Sequence, residues 1–147
     1  MKHGLPRRDL LLAGLGLTLS WRVVATPAAM EGEIRAFTGG TPWREGKLGF
    51  DIAPLVENGN TVPIMLSIDS PMTAADHVQA IAVFNSGNPQ PQVAVFHLGP
   101  RAGKAVVNAR MRLATSQKLT AVAKLSDGTF WAKTVDVVVT LAACVEG

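Results

Sequence analysis

Beyond residue 60 the apolar side chains recur at every second position, a period that confines most of this chain to extended strands. Val62, Ile64, Leu66 and Ile68 alternate with Thr61, Pro63, Met65, Ser67 and Asp69. Ala105, Val107, Ala109, Met111 and Leu113 alternate with Lys104, Asn108, Arg110 and Arg112. Val135, Val137, Val139 and Leu141 share a face opposite Asp136 and Thr140. Successive side chains of a strand point to opposite faces, so each run offers one face to a core and one to water. Pro63 lacks the N–H of a ladder bond, which places its strand at an edge or beside a bulge.

Turn-forming clusters separate the runs: Glu57-Asn58-Gly59-Asn60, Asn85-Ser86-Gly87-Asn88-Pro89, Pro100-Arg101-Ala102-Gly103 and Ser126-Asp127-Gly128. Asp127-Gly128, between runs 118–125 and 129–141, predicts a hairpin, because that pair accepts the positive φ of a tight turn. About seven short strands with regular turns predict an all-β fold, an immunoglobulin-like antiparallel β-sandwich. With one cysteine there is no Cys…Trp…Cys core, which excludes antibody-type domains. Ahead of the strands, Met30, Ile34 and Phe37 at i, i+4 and i+7 predict a short N-terminal helix ended by Gly39-Gly40.

Two runs are apolar on both faces: Val78-Gln79-Ala80-Ile81-Ala82-Val83-Phe84 and Val93-Ala94-Val95-Phe96-His97-Leu98. Such strands are either covered on both sides or part of a partner interface. In a domain with no evident spare helix, the expectation is a partner.

The N-terminus has the three parts of an export leader: Lys2, Arg7 and Arg8, an apolar run over 10–19, and the small-residue exit Val23-Val24-Ala25. The apolar run is about half of the roughly 20 residues needed to span a bilayer, so no membrane helix is expected. Arg7-Arg8 before Leu10-Leu11-Leu12 resembles a twin-arginine signal, which implies export to the periplasm in a folded state. Cleavage is expected after Ala25, with the Ala28-Ala29 neighbourhood as the alternative. The leader holds Lys2, Arg7, Arg8 and Arg22 against Asp9, a net of +3, and the whole chain is also +3. The remainder is therefore balanced and offers no basic surface for nucleic acid or anionic membranes. The expected organisation is a leader over 1–25, one domain over 26–141 and a mobile C-terminal arm over 142–147.

That arm, Ala142-Ala143-Cys144-Val145-Glu146-Gly147, holds the only cysteine. In an oxidising compartment the thiol has no internal disulfide partner, so it is either idle or the working group. Six residues extend at most roughly 20 Å, enough to carry a thiol into another protein's cleft. No Lys, Arg or His follows Lys133, so nothing nearby in sequence activates the thiol. This suits a carrier acted on by others better than an enzyme, which needs a fixed base and an oxyanion site. Leu141-Ala142-Ala143-Cys144 has the letters of a lipobox, but lipid attachment requires that motif at the end of an N-terminal leader. A metal site built from His77, His97 and Cys144 is a weaker alternative, since no ligand-spaced pair exists; neither a metal nor a cofactor is expected. Lys104, Arg110 and Arg112 read as a solvated strand face, and Trp43 and Trp131 as core or interface anchors.

From Val56 onward the order of motifs resembles SoxY, the sulfur-carrier subunit of the bacterial Sox thiosulfate-oxidising system. The matching residues are Glu57-Asn58-Gly59, Val62-Pro63, Ser67-Ile68-Asp69-Ser70-Pro71-Met72-Thr73, Asn88-Pro89, Val93-Ala94-Val95-Phe96-His97, the run 114–123, Ser126-Asp127-Gly128 and Val139-Thr140-Leu141…Cys144. The resemblance covers about residues 30–147 and implies a periplasmic immunoglobulin-like subunit paired with a second β-sandwich protein, the Z subunit. It implies that Cys144 carries covalently bound sulfur. A haem enzyme would join thiosulfate to it, a dimanganese hydrolase would release sulfate, and a molybdenum–haem enzyme would oxidise the remaining sulfane. The family's arm ends Gly-Gly-Cys-Gly-Gly, whereas here Ala142-Ala143 and Val145-Glu146-Gly147 flank the cysteine. Two readings follow from that departure: a carrier matched to altered partners, or a paralogue serving another sulfur route. A binding module with an idle thiol is the rival of both.

Overall fold

The computed structural model describes residues 25–144; the leader expected over 1–25, Ala25 apart, and the last three residues of the arm lie outside the described residues. Helix α1, Pro27–Thr38, is followed by nine strands: β1 Trp43–Glu45, β2 Leu48–Asp51, β3 Leu55–Val56, β4 Val62–Ile68, β5 Val78–Asn85, β6 Gln92–His97, β7 Ala105–Met111, β8 Gln117–Leu125 and β9 Phe130–Val139. They form two sheets. The larger runs β1-β9-β8-β5-β6, with β3 also on β9, and the smaller is β2-β4-β7. The sandwich expected from the alternation is present, with one difference. β1 and β3 pair in parallel with opposite ends of β9, while β2, lying between them in sequence, crosses to the small sheet.

The core is the alternation made physical. Val62, Ile64, Leu66 and Ile68 of β4 face Ile81 and Val83 of β5, and Leu119, Ala121, Ala123 and Leu125 of β8, across the sandwich. Pro63 sits on the middle strand of the small sheet, yet β2 reaches only as far as Met65 along β4. At Pro63 the strand has β7 alone beside it, which is the local edge a proline requires.

Helix α1 overturns the expectation that β5 needs a partner. Thr26 caps the helix, its Oγ1 accepting the N–H of Ala29 at 3.1 Å, and Gly39 ends it at φ 62°. Met30 and Ile34 lie over the outer side of the large sheet against Ala82, Phe84, Val122, Phe130 and Ala132. Phe37 meets Phe84 and Phe130 edge-on, with ring centroids 5.9 and 6.0 Å away. Strand β5 is thus covered on both faces within the chain, and Ile81 and Val83 are wholly buried in the sandwich. Of the two runs apolar on both faces, β6, half-buried at the sheet edge, is the one that keeps an open side.

The β8–β9 hairpin forms where expected. Gly128 takes the positive φ (81°), and Asp127 accepts hydrogen bonds from Thr129 Oγ1 and N at 2.6 and 2.9 Å. Those bonds, the hydroxyl's first, hold the Asp127 carboxyl below its usual value of 3.8. Their contribution is full above the usual carboxylate range and fades as pH falls through the lowered value. Acid titration is expected to loosen this turn only below the usual carboxylate range, seen as chemical-shift movement of the Thr129 amide.

Met72, within the Asp-Ser-Pro-Met-Thr motif, is a buried non-glycine residue at φ 49°. Its Sδ accepts the N–H of Val78 at 3.5 Å, so the motif anchors the entry to β5. Met72→Leu keeps the volume but strands that N–H, and is expected to cost about 1 kcal/mol in chemical denaturation.

Candidate functional site

Strand β9 delivers the chain's C-terminal segment to one end of the sandwich, and the structure holds it there. Beyond Val139, Thr140 donates its N–H to the Val56 carbonyl at 3.0 Å and its hydroxyl to the Glu57 carbonyl at 3.2 Å. Gly59 N–H donates to the Leu141 carbonyl at 2.8 Å, and Ala143 N–H donates to the Leu113 carbonyl at 2.9 Å. Cys144 N–H donates to Asn60 Oδ1 at 3.1 Å. The Ala143 side chain is buried and the Cys144 thiol is exposed. The arm expected to swing from Ala142 is thus hydrogen-bonded to the domain as far as the cysteine's own backbone.

The acceptor at Leu113 is itself braced. Asn85, buried at the end of β5, accepts from the Gly87 and Asn88 N–H groups and donates to the Gln90 and Pro91 carbonyls. This fixes Asn88, whose Oδ1 accepts from Ala114 N and Gln117 Nε2 and whose Nδ2 donates to the Arg112 carbonyl. Ser116 Oγ accepts the Val139 N–H at 2.8 Å. Every buried polar side-chain atom among the described residues has a partner, so the platform is rigid by full satisfaction. Sequence reasoning read these asparagines as turn formers only. Two asparagines three positions apart at the end of an apolar strand were the signal available.

The other candidate residues do not join the thiol. His77 Nδ1 donates to the Thr73 carbonyl at 3.0 Å, and the His77 backbone N–H donates to Ser126 Oγ. His97 is exposed at the end of β6. Among the described residues no three His, Cys, Asp or Glu side chains gather into a metal-binding group. Lys104, Arg110 and Arg112 are exposed as expected. Trp131 carries Lys47 and Arg44 over its ring at 4.9 and 5.9 Å, and Trp43 is partly exposed on β1. Leu55 and Val138, cross-strand neighbours, and Leu141 leave exposed apolar side chains at the arm's root. What this end of the molecule offers chemically is one accessible thiol on a braced backbone, with no histidine hydrogen-bonded to it among the described residues.

Comparison with known proteins gives the family. A family model described as sulfur oxidation protein SoxY matches residues 34–144. The chain belongs to the SoxY family. The match ends on Cys144 itself. Among solved structures, the sulfur carrier protein SoxY from Chlorobium limicola f thiosulfatophilum is 28% identical, covering 78% of this chain and 98% of that one, with a TM-score of 0.65. A superoxide reductase (neelaredoxin) from Ignicoccus hospitalis is 17% identical over 80% of this chain and 95% of its own, at a TM-score of 0.57. The superoxide reductase from Nanoarchaeum equitans is 12% identical over 65% and 100%, at 0.56. The SoxY fold is thus shared with superoxide reductases, and at these identities the likeness extends to the fold alone. No curated protein matches the chain.

Proposed function

We propose that this SoxY-family chain is a periplasmic, non-catalytic carrier that holds sulfur-oxidation intermediates covalently on the Cys144 thiol and presents them to partner enzymes of thiosulfate oxidation. The observation that carries the reading is that the family match runs to Cys144, the chain's single and exposed thiol. The similar Chlorobium protein is itself described as a sulfur carrier.

The chemistry asked of the thiol is simple. Oxidative coupling to thiosulfate forms one S–S bond, releasing the thiol proton and two electrons to a haem partner. Hydrolysis of the distal S–S bond then takes up water, releases sulfate and leaves a persulfide on Cys144. A thiol needs no base of its own for this if each partner activates it within its own cleft. A Z-type subunit and the haem, dimanganese and molybdenum enzymes of a Sox system are the proposed partners.

Intact-mass analysis of the protein from its native periplasm, with and without reductant, tests this. A reducible sulfur adduct confined to the C-terminal peptide is expected, and its mass names the cargo. A uniformly free thiol in cells oxidising sulfur compounds sinks the reading and leaves a binding module. The alanine-flanked arm, with Ala143 buried, favours the second reading of a carrier on another sulfur route; a cargo other than a thiosulfate derivative would select it.

Export is part of the proposal. Cleavage after Ala25 keeps the helix cap Thr26 and gives up the bond from Ala25 N–H to the Asn88 carbonyl. Cleavage at Ala29 would remove the cap and cut the first turn of α1. N-terminal sequencing of the exported protein is expected to begin at Thr26.

A further inference from the structure

We propose that the Asn58-Gly59-Asn60 loop is a seat for the C-terminal arm, and that Asn60 is a positioning residue for the carrier thiol; the functional part of this inference rests on the carrier reading above. Asn60 is set by its neighbour. Its backbone N–H and its Nδ2 both donate to Asn58 Oδ1 at 3.0 Å, which leaves Asn60 Oδ1 turned to the arm, where it accepts the Cys144 N–H at 3.1 Å. Gly59 bonds on both sides, its N–H to the Leu141 carbonyl and its carbonyl from the Leu113 N–H, each at 2.8 Å. A Cβ at Gly59 would lie 2.9 Å from Ala143 N and 3.2 Å from Leu141 O, so the arm packs directly on the loop backbone. The buried Ala143 side chain completes the contact.

Two states of the arm follow. Seated, Cys144 has its backbone pinned and only its side chain presented at the surface. Released, the bonds at Leu141, Ala143 and Cys144 are given up while Thr140 stays bonded to Val56 and Glu57. Cys144 lies four positions beyond Thr140, so the released thiol sweeps at most about 14 Å from that hinge. A partner with a recessed active site takes the released arm, and the Asn60 bond sets how often it is available. Loss of one such neutral hydrogen bond raises the released population about fivefold.

Amide hydrogen exchange on the full exported chain, reduced and without cargo, tests the seat. The Ala143 and Cys144 amides are expected to be protected. Asn60→Ala and, separately, Ala143→Gly are expected to raise Cys144 exchange about fivefold, with the β8 amides unchanged. Asn60→Asp keeps an Oδ acceptor and the backbone bond to Asn58 but sets its second oxygen against Asn58 Oδ1, and is expected to leave Cys144 exchange between that of the unaltered chain and that of Asn60→Ala. Exchange of the Cys144 amide at the free-peptide rate in the unaltered chain, or equal protection in Asn60→Ala, overturns the seat. The readout needs no sulfur. A protected tail that never acquires an adduct in vivo therefore overturns the carrier reading alone, and a loaded but unprotected tail overturns the seat alone.

Discussion

Cys144→Ser is expected to abolish covalent sulfur loading completely while leaving the fold and its associations intact. The substitution exchanges one atom. A serine hydroxyl cannot form the S–S bond that loading requires, and the chain has no second cysteine to substitute for it. The side chain is exposed, so its replacement changes stability by no more than about 0.5 kcal/mol. The bond from residue 144 to Asn60 uses the backbone N–H and survives the change. Intact-mass analysis of the periplasmic variant should show a single unmodified species with and without reductant. Size-exclusion chromatography should show it in the same complex as the unaltered chain. A sulfur adduct persisting in the serine variant would mean that the cargo sits elsewhere and would end the carrier reading. Loss of the complex would instead make residue 144 a docking contact.

The sandwich was legible because its long strands obey a period of two over seven or more residues, as in β4 and β7, and because Gly128 and Gly39 sit where turns and caps need them. Strands β1, β2 and β3 were not. They are three, four and two residues long, too short for any period to show, and β1 and β3 exist only through parallel pairing with a strand distant in sequence. The helix was visible, but its seat on Ala82 and Phe84 was not, so β5 was wrongly assigned an outside partner. A hydrophobic pattern reports that a face is buried and not what covers it. The site divides the same way. Cys144 stood out as the only thiol, whereas Asn58-Gly59-Asn60 carried only the signature of a turn. Its second role depends on a contact between residues 84 positions apart in sequence, which no local pattern encodes.

Gly59 is where that contact is most exposed to mutation, and Gly59→Ala is expected to expel the arm from its seat. The cause is space alone. A Cβ there overlaps the Leu113 carbonyl oxygen and lies 2.9 Å from Ala143 N and 3.2 Å from Leu141 O. All three are backbone atoms, so no side-chain rotation relieves the clash. The overlap with Leu113 is relieved only if the loop backs away from it, and backing away drives the loop against the arm. Leu113 is fully buried, and its neighbours Arg112 and Ala114 are both bonded to Asn88. The loop therefore shifts toward the arm, which the bonds at Leu141, Ala143 and Cys144 hold in place, and those bonds break. Losing three hydrogen bonds of about 1 kcal/mol each, with part of the bond to Leu113 N–H, predicts a destabilisation of about 2–4 kcal/mol. In a domain of this size that lowers Tm by on the order of 10 °C. Protection of the Ala143 and Cys144 amides should vanish, and alkylation of the thiol should accelerate. Gly99→Ala supplies the control, because a Cβ there meets nothing within 4 Å and its backbone is extended; it should melt with the unaltered protein. If Gly59→Ala melts there too, with its tail still protected, the arm does not pack on this loop.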